Sequence, residues 1–183
     1  MTLTSDAEIL RRSRLDPGAF GDLFDRHAPA IHRYLARRIG SAADDLLSEV
    51  FLRALEGRIR VRPHETESAL PWLYGIARNV IRSHLRSRDR PAAPTSDTHV
   101  DWDAVDARID ASAIAGDLRN ALVELSDIER EVLLLVSWEQ LTITEAAEAL
   151  GISATAARSR LHRARARAAA ALAAMQSMSQ ETP

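Results

Sequence analysis

Between Phe20 and Ile39 the apolar residues Phe20, Leu23, Phe24, Ala28, Ile31, Tyr34, Leu35 and Ile39 recur at steps of three and four. That spacing gathers them on one face of an α-helix and would scatter them over both faces of a strand. The same step returns in Leu46, Leu47, Val50, Phe51, Ala54 and Leu55, and again in Leu73, Ile76, Ala77, Val80, Ile81 and Leu85. Start and stop signals punctuate it. Ser5 with Glu8, Ser126 with Glu129 and Thr142 with Glu145 have capping-box spacing, Ser41 with Asp44 and Ser153 are further cap candidates, and Gly40 and Gly151 end helices. Only seven Gly and seven Pro occur among 183 residues, too few for a fold of many strands joined by tight turns. The expectation is an all-α protein.

The charge pattern divides the chain. Residues 1–90 are net +4, residues 91–126 net −5 and residues 127–183 net −1, for a total of −2. The middle stretch opens "RPAAPTSDTHVDWD", whose Pro, Ser, Thr and Asp read as a linker. Two small helical domains, 1–90 and 112–175, are expected, joined by a flexible acidic linker over 91–111 and followed by a tail, 176–183. A helix is expected near 112–124, and the continuous apolar run of "REVLLLVSWE" belongs in a core.

Cysteine is absent, which excludes disulfides and thiolate metal sites. The N-terminus "MTLTSDAEILRRSRLD" has no apolar signal region and no run reaches membrane-spanning length, so a soluble, cytoplasmic chain without membrane insertion is expected. The six His are dispersed, with no HExxH, phosphate-gripping Gly loop or nucleophile elbow. No enzyme, metal or cofactor is expected.

All 24 basic residues are Arg, and five of them crowd between Arg158 and Arg167 without an acid. Thr142–Leu150, Gly151 and the helix from Ser153 have helix-turn-helix form, whose second helix enters the major groove. At 100° per residue, Ala157, Leu161, Ala164 and Ala168 make one narrow packing stripe. Thr155, Ser159, His162 and Ala166 lie opposite, flanked by Arg158 and Arg163, with Arg160, Arg165 and Arg167 further round. Small side chains let the backbone approach base edges while guanidiniums hold phosphates. A merely solvated helix would interleave acids for i,i+4 pairs, and a membrane-surface helix would need bulkier apolar residues than alanine. Because the chain as a whole is not basic, it should bind DNA weakly alone, and it has no obvious dimerisation helix. Something larger is expected to hold it there.

Together these segments resemble the ECF (extracytoplasmic-function) group of bacterial RNA polymerase sigma factors, over roughly residues 18–90 and 112–170. "FGDLFDRHAPAIHRYLARRIG" with "ADDLLSEVFLRAL" looks like the start of sigma region 2. "LPWLYGIARNVIRSHLRSR" resembles its −10-element segment, and "LSDIEREVLLLVSWEQLTITEAAEALGISATAARSRLHRARARA" resembles region 4, which handles the −35 element. Ser48 stands where many relatives carry Gln, and Ser126 where Pro is common.

The resemblance implies a promoter-specificity subunit that binds core RNA polymerase, through its β′ clamp and β flap, recognises −35 and −10 promoter DNA and helps to melt it. Asp44, Asp45, Leu46, Glu49 and Phe51 are the implied polymerase-docking residues, with Leu46, Val50 and Phe51 packing inward or at the contact. Arg78, Asn79, Arg82 and Arg86 are implied for the −10 element. The loop from Gly57 to Ser68 matches the place where an unstacked base is held, a step that costs a few kcal/mol. Trp72 and Tyr74 are candidates to stack on bases, and Trp72 suits the core equally well. For the −35 element the implied readers are Thr155, Arg158, Ser159, His162 and Arg163, with Arg165 and Arg167 on phosphates. The linker either follows the polymerase's RNA path or serves as simple spacing. An anti-sigma partner is expected, and no further C-terminal regulatory domain. A stand-alone helix-turn-helix regulator is the alternative, for which the arginine side of Leu70–Arg88 has no use.

Overall fold

The computed structural model describes residues 4–61, 65–88 and 121–180. All regular elements among them are helical. The chain divides into two compact units, Met1–Val105 and Asp106–Pro183. The expected linker, 91–111, and the start of the helix expected near 112–124 lie outside the described residues.

The first unit contains α1 (Asp6–Ser13), α2 (Gly21–Ile39), α3 (Ala43–Gly57) and α4 (Leu70–Arg88), with short 3₁₀ turns at Pro17–Phe20 and Gly40–Ala42. At α1 the Ser5 hydroxyl accepts from the Glu8 N–H at 3.3 Å. Glu8 itself turns outward to Arg11, taking N–H bonds of 2.8 and 2.6 Å. Only the serine half of the expected capping box forms there, because the guanidinium fork one turn on captures the carboxylate. The cap expected at Ser41 is not made either. α2 stops at Gly40, whose φ of 55° only glycine adopts freely, and the 3₁₀ turn leads into α3 without a side-chain cap.

Leu23, Ile31 and Leu35 of α2, Val50 and Ala54 of α3, and Leu73, Ala77 and Val80 of α4 are fully buried. Each large side chain among them contributes about 1.5–3 kcal/mol by leaving water. Phe51 meets Phe20 and Phe24 edge-on, and Tyr34 meets Tyr74 in the same manner. Arg38 is buried with its guanidinium 3.7 Å from the centre of the Tyr34 ring. One carboxylate fastens three helices. Asp6 on α1 accepts from Arg26 (2.5 Å) and His27 (2.6 Å) on α2, and from the Ala69 N–H (2.8 Å) just before α4.

The second unit contains a helical end at 121–123, then α5 (Asp127–Ser137), α6 (Ile143–Leu150) and α7 (Ala154–Gln180). Capping boxes at Ser126–Glu129 and Thr142–Glu145 open α5 and α6. Gly151 closes α6 in the left-handed region, φ 66°, and the Ser153 hydroxyl accepts from the Ala156 N–H to start α7. Val132, Leu134 and Leu135 of α5 are buried, as the apolar run requires. Arg130, 2% exposed, donates to the carbonyls of Leu122 (2.7 Å), Leu125 (2.9 Å) and Val123 (3.2 Å), filling acceptors that the helix end leaves open. Burial pushes its guanidinium below the usual value, which Asp127 and Glu131 oppose.

Candidate nucleic-acid interface

The packing seam of α7 is the one its periodicity gives. Ala157, Leu161, Ala164 and Ala168 are all buried, against α5 and α6. Thr155, Arg158, Ser159, His162, Arg163, Arg165, Ala166 and Arg167 are all exposed. Alanine on the seam brings the helix backbone close to the unit, and small residues opposite leave its outer face shallow.

The two shoulders of that face differ. Arg158, His162 and Arg165 line an open cleft of about 490 Å³ with Ile143, Leu161 and Ala166. On the other shoulder Arg163 and Arg167 reach back to α5. Arg167 donates to Glu129 Oε2 at 2.7 Å, and Arg163 donates from Nε to Glu129 Oε1 at 3.2 Å and from its terminal nitrogen to the Ser159 hydroxyl at 3.2 Å. Glu129 also accepts from the hydroxyl and N–H of Ser126. The Ser126 hydroxyl bond, resisted by burial and joined by Arg163 and Arg167, holds its carboxyl below the usual carboxylate range. The sequence marks Glu129 as a cap and is silent on this second role, since the arginines lie 34 and 38 residues away.

On α4, Arg78, Asn79, Arg82 and Arg86 share an arc of about 100°. Leu73, Ala77, Val80, Ile81 and Leu85 turn inward. Tyr74 does not join the polar face: it is 2% exposed and packed edge-on against Tyr34, so it has no surface for a base. Trp72 is half-buried beside Gly57. Residues 62–64 of the Gly57–Ser68 loop lie outside the described residues.

On α3, Asp44 and Asp45 are exposed and Glu49 is half-buried. Asp44 pairs with His32 at 2.9 Å, and Glu49 with Arg53 one turn on. Leu46 and Phe51, expected to pack inward or to lie at the polymerase contact, are packed inward in the core, each 6% exposed, because the apolar stripe of α3 faces α2 and α4. The apolar side chain that does face out is Leu52, 61% exposed. It follows Asp45, Ser48 and Glu49 at steps of seven, four and three, in the middle of the acidic face. Its position outside the apolar stripe was the available signal.

No described helix is long and apolar enough to cross a membrane. Residues 23–91 match the Sigma-70 region 2 family and residues 115–167 match Sigma-70, region 4. The chain is 35% identical over 151 residues to the RNA polymerase sigma factor CarQ of Myxococcus xanthus, covering 76% of this chain and 81% of that protein. It is 29% identical over 151 residues to the ECF RNA polymerase sigma factor BldN of Streptomyces coelicolor, covering 79% of this chain and 57% of that longer protein. Among solved structures it is similar to CnrH in complex with the cytosolic domain of CnrY, with a TM-score of 0.65, 26% identity and coverage of 92% and 97%. Two sigma regions in order, together with relatives that match most of this chain, place it in the ECF group of the sigma-70 family of RNA polymerase sigma factors.

Proposed function

We propose that the chain binds core RNA polymerase and directs initiation at a restricted set of promoters, with a division of labour between its units. The 1–90 segment docks on the polymerase through Asp44, Asp45 and Glu49, with Leu52 as the apolar contact among them. It reads and helps to open the −10 element with Arg78, Asn79, Arg82 and Arg86. The 112–175 segment reads the −35 element with α7. Arg158, Ser159, His162, Thr155 and the more constrained Arg163 meet base edges, while Arg165 and Arg167 hold the backbone. The β′ clamp and β flap are the proposed docking points, and the acidic 91–111 segment spans between the two DNA elements. CnrH is bound by the cytosolic domain of CnrY, and a partner of that kind is proposed to restrain this chain as an anti-sigma factor.

The observation that carries the reading is α7 itself, an alanine seam buried in the unit with an acid-free arginine face exposed opposite it. A solvated helix needs no such segregation.

In vitro transcription with core polymerase across a genomic library, with start sites mapped, tests the proposal. Starts should share two conserved elements at fixed spacing. Tight binding of the free chain to duplex DNA, with no association with core polymerase, would replace this reading with that of a stand-alone regulator.

A further inference from the structure

The Glu129 carboxylate sits at the N-terminal end of α5 with a side-chain exposure of only 6%, and four donors converge on it. Capping α5 needs only the Ser126 donors. The two arginine bonds go beyond that need, and both arginines belong to the exposed face of α7. Their own side chains are 53% and 55% exposed, so each guanidinium is anchored at its buried edge and open to solvent at the other. A guanidinium has five N–H donors in a rigid fork, and most of them stay directed away from Glu129. An arginine that must find its pose on binding loses rotamer freedom at that moment, whereas one already held by a carboxylate has lost it on folding. The chain Glu129–Arg163–Ser159 extends this order to a residue at the centre of the outer face.

We infer that Glu129 is a positioning residue for promoter recognition, fixing Arg163 and Arg167 in the poses in which they meet −35 DNA. The inference rests on the reading of α7 as the DNA-facing helix. Removal of the carboxylate charge frees both guanidiniums while taking a negative charge away from the DNA side. Sequence discrimination should therefore fall even as attraction to phosphate holds or rises. A purely structural ion pair predicts the opposite pattern, in which stability falls and discrimination per folded molecule is unchanged.

The test uses the full chain with core polymerase on a promoter recovered from the library and on the same promoter with a substituted −35 element. Glu129→Gln keeps an oxygen acceptor for Ser126, and Glu129→Asp keeps the charge but is one methylene too short to span both arginines. Each should lower the ratio of open complexes on the matched to the substituted promoter by about tenfold, the scale of one specific arginine–base contact. Binding to unrelated duplex should not weaken. Ser126→Ala, which strips a cap bond and leaves the arginines held, should lower the melting temperature and leave the ratio intact. With Arg163→Ala and Arg167→Ala already present, Glu129→Gln should cause no further loss. If Glu129→Gln does not fold, Glu129→Asp decides. A wild-type ratio in the folded Glu129 variants, or a loss confined to stability, overturns the inference. Failure of the wild-type chain to direct any start would instead remove the functional reading beneath it.

Discussion

Desolvation raises the energy of a buried carboxylate, and Asp6 tolerates it because every side of the group is answered. Burial by itself would lift its pKa. The His27 bond, the Ala69 N–H, the coulombic pull of His27 and the Arg26 bond more than reverse that, so the carboxyl lies below its ordinary range. A carboxylate with a lowered folded-state pKa contributes stability in full above its unfolded value. The contribution is lost as pH falls through the folded value. Asp6 and Glu129 both have this sign, so thermal stability should hold through neutral pH and decline below about pH 4, the unfolded carboxylate range. Asp6→Ala should cost about 3–5 kcal/mol in chemical denaturation and flatten that decline, because it leaves Arg26 and His27 without their shared acceptor. The sequence marks Ser5 and Glu8 at this helix start, since capping is local, and passes over Asp6. Its partners stand 20, 21 and 63 residues away, and no local pattern reports a contact at such separations.

At the scale of a helix, periodicity identifies faces and leaves their partners unnamed. The alanine seam of α7 was legible because its four residues repeat at three or four steps and four of the five neighbouring arginines are exposed, Arg160 alone being half-buried. On α3 the resemblance assigned the segment "DDLLSEVF" to polymerase docking, with Leu46, Val50 and Phe51 packing inward or at the contact, and their spacing already placed them on the inward stripe. Tyr74 was misread for a related reason: a polar hydroxyl on a large ring suits both a stacking surface and a core, and sequence spacing cannot choose between them. The exposed apolar residue of α3 offers a direct check. Leu52→Asp should weaken association with core polymerase by at least tenfold, an effect typical of a central interface anchor. The melting temperature should stay near wild type, because the side chain is mostly in water already. Equal losses of binding and stability would show that Leu52 packs rather than docks.

Across the molecule, a net charge of −2 sets a limit on what the arginine helix achieves alone. Affinity for duplex follows the number of phosphates neutralised, and non-specific binding commonly lies at about 10⁻⁴–10⁻⁶ M in physiological salt. The free chain should fall in that range by fluorescence anisotropy, with a shallow dependence on salt. The complex with core polymerase should bind its promoter far more tightly. A free-chain Kd in the low nanomolar range would contradict the argument from charge. The composition shift after residue 90 pointed to two units, as the structure has, while the expected linker bounds, 91–111, lie outside the described residues.

The guanidinium of Arg130 has a mechanical consequence for that division. Its bonds to Leu122, Val123 and Leu125 rivet the segment ahead of α5 to that helix, so a pull arriving at Ala121 loads α5 through three carbonyl bonds as well as along the backbone. Cutting the chain just ahead of Ser126 would strip the rivet of its acceptors and strand a charge in the interior. The segment Ala121–Leu125 thus belongs to the second unit in the mechanical sense, fastened to α5 from the side as well as end to end.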